Sequence, residues 1–581
     1  MKRAEVDVLV VGAGPVGLMA SLLLARRGMR SLVVERRDGP HRAPQAHVIN
    51  PRTLEICRMA GMDMDALRAA ATPREDGSRV RFMTTLAGEE LGSLEYERQG
   101  DENLEYTPTP LLNLPQHLFE PILLGNVHAE ALARVEYHRQ WQALEQDDEG
   151  VTSLIENLED GTTHEVRSRY VLAADGAGSR VRKSLGIEMD GPAEIQSFQM
   201  VHLRAALRDL VGDRPAIIYW ILEPSATGTF VAHDIDGTWV FMRPYDPSTE
   251  SAENLDEEAC AAVVRRAIGA HADFEIRDIG TWTMTAQVAQ RYRVGRVFLV
   301  GDSAHRFPPA GGMGMNTGIQ DAPNLVWKLA AVDSWNAPPT LLDTYQAERQ
   351  PIAHSNSEQS LTNVVNLLEV FEALGLDADE EASKVRMTDR LADPESRARV
   401  ETAIENQRDH FDMLGLQLGF HYETGALTPD GTPAPVAINP VGDFVPSSRP
   451  GSRVPHAWVR AEGRRVSLLD LIAYDAFTLI TGSDGDAWRA AADGLAATRL
   501  GSHVRCLTSG RELEDPEGHW AAVSGIANDG ALLVRPDQHV AWRSRSMAAD
   551  PAAELECAIA HGLMRTHRAL SHDRHAPRAG R

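Results

Sequence analysis

Over its first 430 or so residues the chain alternates strand-like and helix-like runs of apolar positions. The opening is the clearest case: "VDVLVV" is a short continuous apolar run, as a strand buried on both faces requires. It leads through "GAGPVG" into "LMASLLLARR", a helical segment that Gly28 would close at its C-terminus, and a second buried strand, "SLVVE", follows at once. About 290 residues later the same order returns as "RVFLV", a glycine-rich turn, and a segment in which Ile319, Ala322, Val326, Leu329 and Ala330 recur at helical spacing. Pro323 lies inside that segment and predicts a kink. Between the two, "YVLAADGAGSRVRKSLGI" reads as a strand entering a turn. From Pro429 to Pro455 seven prolines exclude a helix or a central strand, so a crossover or domain boundary belongs there. Beyond it, "AFTLITGS", "VRCLTSG" and "GALLVRPDQHVAWR" predict strands around helical "DAWRAAADGLAATRL", a compact α/β unit.

Composition narrows the function classes. With 581 residues the chain should form two or three domains. No apolar run is long enough to span a membrane, and the basic, apolar amino terminus contains Asp7 and enters a glycine turn, so it reads as a buried strand and not as a secretion signal. The formal net charge of −25 disfavours nucleic-acid and anionic lipid partners. Only the tail at 566–581 is basic, and its lack of apolar residues makes it a flexible terminus. Cys57, Cys260, Cys506 and Cys557 show neither metal spacing nor a disulfide framework, which fits the cytoplasm and predicts no metal site.

Candidate chemistry sits on the glycine turns. Gly12, Gly14 and Gly17 have GxGxxG spacing between a strand and a helix, with Pro15 in the turn, and Glu35 ends the next strand where a dinucleotide fold places its ribose-binding acid, followed by Arg36. That alone does not separate NAD from FAD. The second turn, with Asp302, Pro309, Gly312 and Gly314 and backbone N–H groups near Met315 and Asn316, supplies a second helix N-terminus and an acid, suited to a ribityl chain and a flavin ring. One turn would hold the ADP half of FAD and the other the flavin half. The third motif, Asp175 to Arg180, is on its own a common turn.

With the three motifs in this order, the chain resembles the single-component FAD-dependent aromatic hydroxylases of the p-hydroxybenzoate hydroxylase class. Within them it looks most like the phenol and chlorophenol hydroxylase branch, through "AHVINPRTLEI", "NLPQHLFEP", "AADGAGSRVRKSLG", "GRVFLVGDSAHRFPPAGGMGMNTGIQDAPNLVWKLA" and "GALLVRPDQHVAWR". The resemblance implies an α/β chain: a Rossmann-type FAD-binding domain over 1–428 with an interleaved mixed-sheet substrate domain (roughly 78–112 and 188–285), a proline-rich crossover at 429–455, and a thioredoxin-like α/β domain over 456–565. It further implies noncovalent FAD, NADPH or NADH as a transient reductant, O2 and a small aromatic substrate, oxygen transfer through an FAD C4a-hydroperoxide, and a homodimer. Carried over to this chain, Gly12, Gly14, Gly17, Glu35, Gln116 and Asp302 match FAD-contacting positions. Asp175 and Arg180 match a motif serving FAD and NAD(P)H, and Pro308 matches the proline beside flavin and substrate.

Three positions depart from that pattern. Asn113 stands where relatives often carry an aspartate that deprotonates or orients the phenol, and an amide cannot serve as a base. Gln45 stands for a usual arginine, and "FVAHDIDGTWVFMRPYD" lacks the branch's arginine-proline-tryptophan segment. His47 is the candidate replacement for orienting a phenolic hydroxyl, or else a structural histidine. Tyr219 and Trp220 either stack on substrate or belong to a core, with His233 and Arg243 as further substrate candidates, while His305 reads as structural. Alternatives to aromatic hydroxylation are Baeyer-Villiger oxygen insertion on the same fold and an FAD-binding module without turnover. The last unit lacks paired cysteines for redox exchange, so a packing role is expected there.

Overall fold

The computed structural model describes residues 3–248, 256–496, 498 and 501–565, so the tail expected to be flexible lies outside the described residues. The chain opens with β1 (Arg3–Val11), α1 (Pro15–Arg26) and β2 (Ser31–Val34). After them come α2 (Pro51–Met59) and α3 (Gln116–His128), then β3 (Thr163–Ala173), β4 (Val297–Leu299), α4 (Met313–Ser334) and α5 (Thr344–Leu374). β4, β3, β1, β2 and a strand at Ala133–Glu136 lie side by side and all run parallel. Helices cover the sheet, so Val8 to Val11 are buried throughout, which is why β1 is apolar at every position and does not alternate. α4 runs unbroken through Pro323. Packing on all sides holds the helix through the proline: Ala322, Leu325 and Val326 are buried.

A second, mixed sheet of seven strands is built from 79–95 and 196–284, in the spatial order Glu275–Met284, Gln196–Arg204, Thr238–Tyr245, Gly228–Ala232, Ile218–Ile221, Arg79–Met83, Glu90–Glu95. Its two faces differ. Tyr219, Phe230, Trp239 and Phe241 point to one side and form a core with the helix Glu257–Ile268. Trp220, Phe82 and Val80 point to the other, where α5 and the helices Glu380–Ala392 and Pro394–Glu405 close over Leu94 and Tyr96.

No helix or strand runs from Phe420 to Ala457, the proline-rich stretch included. After it, the strands Val504–Thr508, Phe477–Thr481, Ala531–Val534 and Val540–Ser544 form a four-stranded sheet in that spatial order, the first pair parallel and the rest antiparallel. Helices Asp486–Ala496 and Pro551–Gly562 pack on it through Trp488, Leu555 and Ile559. This is the thioredoxin-like arrangement, and no disulfide joins any of the four cysteines. Buried ion pairs seat this unit on the first. Arg535 donates to both oxygens of Glu348 on α5, at 2.8 Å each, and to Asp537, while Lys328 of α4 donates to Glu348 at 2.8 Å. Arg453 is likewise bonded to Glu55 of α2 at 2.8 Å.

Candidate active site

Three motifs separated by more than 280 residues of chain meet because β1, β3 and β4 are neighbours in register: Val11 lies opposite Ala173, and Ala173 opposite Leu299. Their carboxyl ends open at one level, and an open α/β sheet binds ligands at such an edge. Gly12 (φ +107°) crosses against the Ala174 carbonyl and Gly17 against the Gly12 carbonyl, so close that neither tolerates a Cβ. Gly14 caps α1 and Pro15 is its first residue, leaving the first N–H groups of the helix outside its own ladder. Glu35 accepts from the N–H of Ala13 at 2.9 Å and of Arg37 at 3.0 Å. Burial pushes the Glu35 carboxyl up, but those donors and the Arg37 guanidinium outweigh it and hold it below the ordinary value. Arg37, and not the exposed Arg36, is the arginine that meets this acid.

The second turn is braced from behind. Asp321 on α4 accepts from the Gly301 N–H at 3.1 Å and from Arg349 Nε at 2.8 Å, and lies 2.9 Å from His305 Nε2. His305 is fully buried in this brace. Val16 of the first turn packs against Gly301 and Gly318, so the two glycine turns touch. Asp302 projects from Gly301: it remains accessible, yet is enclosed by enough protein that burial lifts its pKa against the pull of His305 and Arg306. Gly312 (φ +62°) caps α4, and the N–H groups of Met313, Gly314 and Met315 precede the first intrahelical bond. Asn316 is one residue too far along for its backbone to join them, a correction to the sequence reading. Its side chain does the work, with Nδ2 donating to Val48 O (3.0 Å) and Gly312 O (2.7 Å) and Oδ1 accepting from Asn50 N (3.0 Å).

The third motif closes on itself. Ser179 Oγ donates to Asp175 Oδ1 at 2.5 Å and the Val181 N–H to Oδ2 at 3.1 Å, with Arg180 exposed beside them. Gln116 begins α3 and its Nε2 donates to Glu120 at 2.6 Å. Pro308 is buried and Pro309 exposed in the loop between Asp302 and α4.

Between this loop and the second sheet lies a histidine cluster. His47 is half-buried, with Nε2 3.3 Å from Tyr96 Oη, and burial pulls its pKa down to about 4. It is therefore neutral near pH 7, and a base titrating near neutrality is not what this histidine provides. His233 meets it edge-on at 5.5 Å between ring centroids and His117 meets His233 at 6.5 Å. Asn113 donates through Nδ2 to Gly77 O at 3.1 Å, and its Oδ1 is buried without a partner, as are His233 Nδ1, His117 Nδ1 and Trp220 Nε1. Trp220 and His233 thus share the inner face of the sheet. Tyr219 and Arg243 do not. Tyr219 is in the outer core with its hydroxyl donating to Arg214 O at 3.0 Å, and Arg243 donates to Gln199 at 2.8 Å next to Cys260 of the outer helix. Strand parity sends both away from the site. Tyr96 and His117 were missed. Tyr96 carries no local signal, whereas His117 follows Gln116 directly and was open to notice.

Two glycines decide whether FAD fits. Gly14 and Gly314 have ordinary backbones, and a Cβ on either would meet no neighbouring atom within 4 Å. Nothing in the protein itself requires glycine there, yet each stands in the first turn of a helix at the shared edge. An elongated anionic cofactor approaching both helix N-termini would supply the reason, and the carboxylates of Asp302 and Glu35 are groups able to accept from its sugar and ribityl hydroxyls.

Comparison with known proteins gives the same answer. Residues 5–360 match the family described as FAD binding domain, and residues 447–565 match "Aromatic-ring hydroxylase, C-terminal". The chain is 34% identical to 2,4-dichlorophenol 6-monooxygenase of Delftia acidovorans, over 96% of this chain and 97% of that protein. It is also 34% identical to tetracenomycin A2 monooxygenase-dioxygenase of Streptomyces glaucescens, over 97% and 98%. Among solved structures, the flavin-dependent monooxygenase PieE in complex with FAD and substrate superposes with a TM-score of 0.91 at 36% identity, covering 97% of this chain and 99% of the other. Aklavinone-11 hydroxylase with FAD and aklavinone gives 0.80 at 33% identity, covering 97% and 100%. Two glycine turns in register, an accessible acid between them and a matching carboxyl-terminal unit place this chain in the FAD-dependent aromatic-ring hydroxylases, the flavoprotein monooxygenases of aromatic substrates.

Proposed function

We propose that the protein hydroxylates a phenolic or polycyclic aromatic compound using NADPH or NADH and O2. The observation that carries this is the group of unpartnered polar atoms contributed by the strand Leu112–Asn113 (Asn113 Oδ1), the inner sheet face (His233 Nδ1) and α3 (His117 Nδ1), beside the edge where Gly14 and Gly314 open. Buried polar groups without partners cost free energy, and a polar substituent on an apolar ring relieves that cost. The names of the relatives, from a dichlorophenol to tetracenomycin A2, support that substrate class.

In this reading Gly12, Gly14, Pro15, Gly17 and Glu35 hold the ADP half of FAD. Asp302, Gly312, Gly314 and the Met315 N–H hold the flavin half, with Gln116, Asp175 and Arg180 at its rim. Bound FAD supplies the two electrons taken from NAD(P)H and the activation of oxygen. The chain's own part is to orient and enclose: Pro308 and Trp220 confine the ring, His47, His233 and Asn113 fix its hydroxyl, and the sheet and α5 exclude water. The amide of Asn113 cannot accept the proton, and His47, its pKa lowered to about 4 by burial, is a weak base near neutrality. We assign residues 1–428 and 456–565 as the two domains, 429–455 as the crossover, and the reducing cytoplasm as the setting. The working unit is a homodimer, for which exposed Val365 and Leu368, adjacent on α5, offer apolar area.

The test is reductant consumption by the FAD-loaded protein against a panel running from 2,4-dichlorophenol to hydroxylated anthraquinones, with product masses. Substrate-stimulated oxidation of NADPH or NADH with a product gaining one oxygen and an intact aromatic ring is expected. A lactone, or no stimulation by any ring, overturns the reading.

A further inference from the structure

The inner face of the seven-stranded sheet does not end at Trp220. Cross-strand pairing carries it on through Thr229, Met242 and Met200 to Gly280, one line of positions over five adjacent strands. Four strand spacings make that line about 19 Å long. The core under α5 takes in Trp220 at its border and reaches no further across the sheet. Met242 and Met200 are half-buried, and Val231 and Val240 beside the line are 6% and 3% exposed, yet none of the four belongs to a packed core. This half of the face is apolar and shielded, without a core of its own laid on it.

Its roof comes from the FAD-binding domain. Burial, and after it the charge of His202, lower the pKa of His117 at the start of α3, while burial and Arg37 lower that of His41 against an upward pull that includes Asp278. His202 and Asp278 are paired on the same two strands as Met200 and Gly280, so both segments stand over this half.

The far end of the line is a glycine that the fold itself does not call for. Gly280 lies inside the ten-residue edge strand Glu275–Met284 in regular pairing with Met200, and a Cβ there would meet no neighbouring atom within 4 Å. The register shift in this pairing falls between His202 and Leu203, past the Met200 pair. Glycine weakens the interior of a strand, and where it makes neither bulge nor bend it marks a place that a ligand or another backbone approaches closely. Phe198 and Trp282, half-buried and stacked at 4.8 Å, flank it. Methionines, which fill irregular space by changing rotamer, line the way from Trp220.

We infer that this line is the distal half of the substrate site, that the substrate is a planar compound of three or more fused rings lying across the strands from Trp220, and that Gly280 and Met200 receive its far end. A one-ring phenol covers the Trp220 end alone and leaves both methionines hydrated, whereas each further fused ring extends the plane by about half a strand spacing. Gly280 is then a specificity residue: a side chain there shortens the line. The inference rests on the aromatic hydroxylase reading above and chooses within its substrate class.

The experiment titrates oxidised holoenzyme with 2,4-dichlorophenol, naphthol, hydroxyanthraquinone and hydroxynaphthacenequinone, reading Kd from the flavin absorbance change, and measures kcat/KM for each with product masses. In wild type Kd should fall at least tenfold from dichlorophenol to the three-ring compound and stay as low for the four-ring one. Gly280→Ile should lower the ratio of four-ring to one-ring kcat/KM, and the same ratio of affinities, at least tenfold, with Gly280→Ala giving a smaller drop. Isoleucine suits a strand, so the variant should melt no lower than wild type, and a partly unfolded preparation lowers both terms of the ratio alike. An unchanged ratio in Gly280→Ile overturns the inference, as does a change of oligomeric state in that variant by light scattering, which makes a second copy of the chain the occupant. If wild type hydroxylates dichlorophenol and binds no multi-ring compound more tightly, the inference fails while the hydroxylase reading stands; if no ring stimulates reductant consumption, both fall.

Discussion

Gly314 separates what the fold needs from what the cofactor needs. Its Cβ position is open and its backbone helical, so Gly314→Val should leave the melting temperature of the apoprotein within a few degrees of wild type while weakening FAD at least tenfold, about 1.4 kcal/mol. Flavin titration and calorimetry on the same preparation check both halves. Asp302→Ala should weaken FAD by about 1 to 3 kcal/mol through loss of a charged acceptor, read by fluorescence titration, and equal affinities would remove the acid from the site. These positions were legible in the sequence because their chemistry is local: a glycine spacing, or an acid after a strand. Tyr219 and Arg243 were not, since which face of a strand turns inward depends on where Glu257–Ile268 packs. Tyr96 was invisible for a related reason, its meaning arising only from a histidine 49 positions away.

At the scale of elements, α2 and α4 are tied where they begin. Asn50 caps α2 by accepting from Thr53 N at 2.9 Å, and its own N–H donates to Asn316 of α4 at 3.0 Å, so one amide side chain spaces the His47 segment from the second glycine turn. Asn316→Ala strands that N–H and the Val48 carbonyl, and we expect a loss of about 1 to 3 kcal/mol in denaturant unfolding together with weaker FAD. Unchanged stability would show that water replaces the amide. The alternation of strands and helices foretold these elements, and the glycine turns foretold where they open. The helical spacing also carried α4 through Pro323, where one missing hydrogen bond is outweighed by the packing of Ala322, Leu325 and Val326.

Across the whole molecule the two large units share a buried charge. Glu348 receives Arg535 from the carboxyl-terminal unit and Lys328 from α4, with every side chain involved fully buried. Burial alone would raise the Glu348 carboxyl, yet Arg535 and Lys328 bring it down to about 2. A depressed folded pKa stabilises above the unfolded value, near 4.5, and that contribution fades as pH falls toward 2. Glu348→Gln leaves buried Lys328 without a counter-charge and Arg535 with Asp537 alone, so a loss of about 3 to 5 kcal/mol and a flatter acid limb of stability are expected from denaturant melts across pH. Replacing Cys506 and Cys557 together by serine should leave turnover unchanged, since no paired thiols stand in that unit, and a thiol-dependent loss of rate would contradict it.

The adjacency of β1, β3 and β4 also sets an order of events in time. The FAD edge is made from residues near 12, 174 and 301, and closing it means bringing together segments that are remote along the chain, a slow step for any polypeptide. A ribosome must deliver more than 300 residues before the site exists, so truncated or stalled chains should be colourless however well their first βαβ unit folds. Once closed, the site would be held by a ligand reaching these segments, and free FAD would draw the folding equilibrium toward the native state by mass action. Flavin supply during expression thus becomes a determinant of how much protein survives to work.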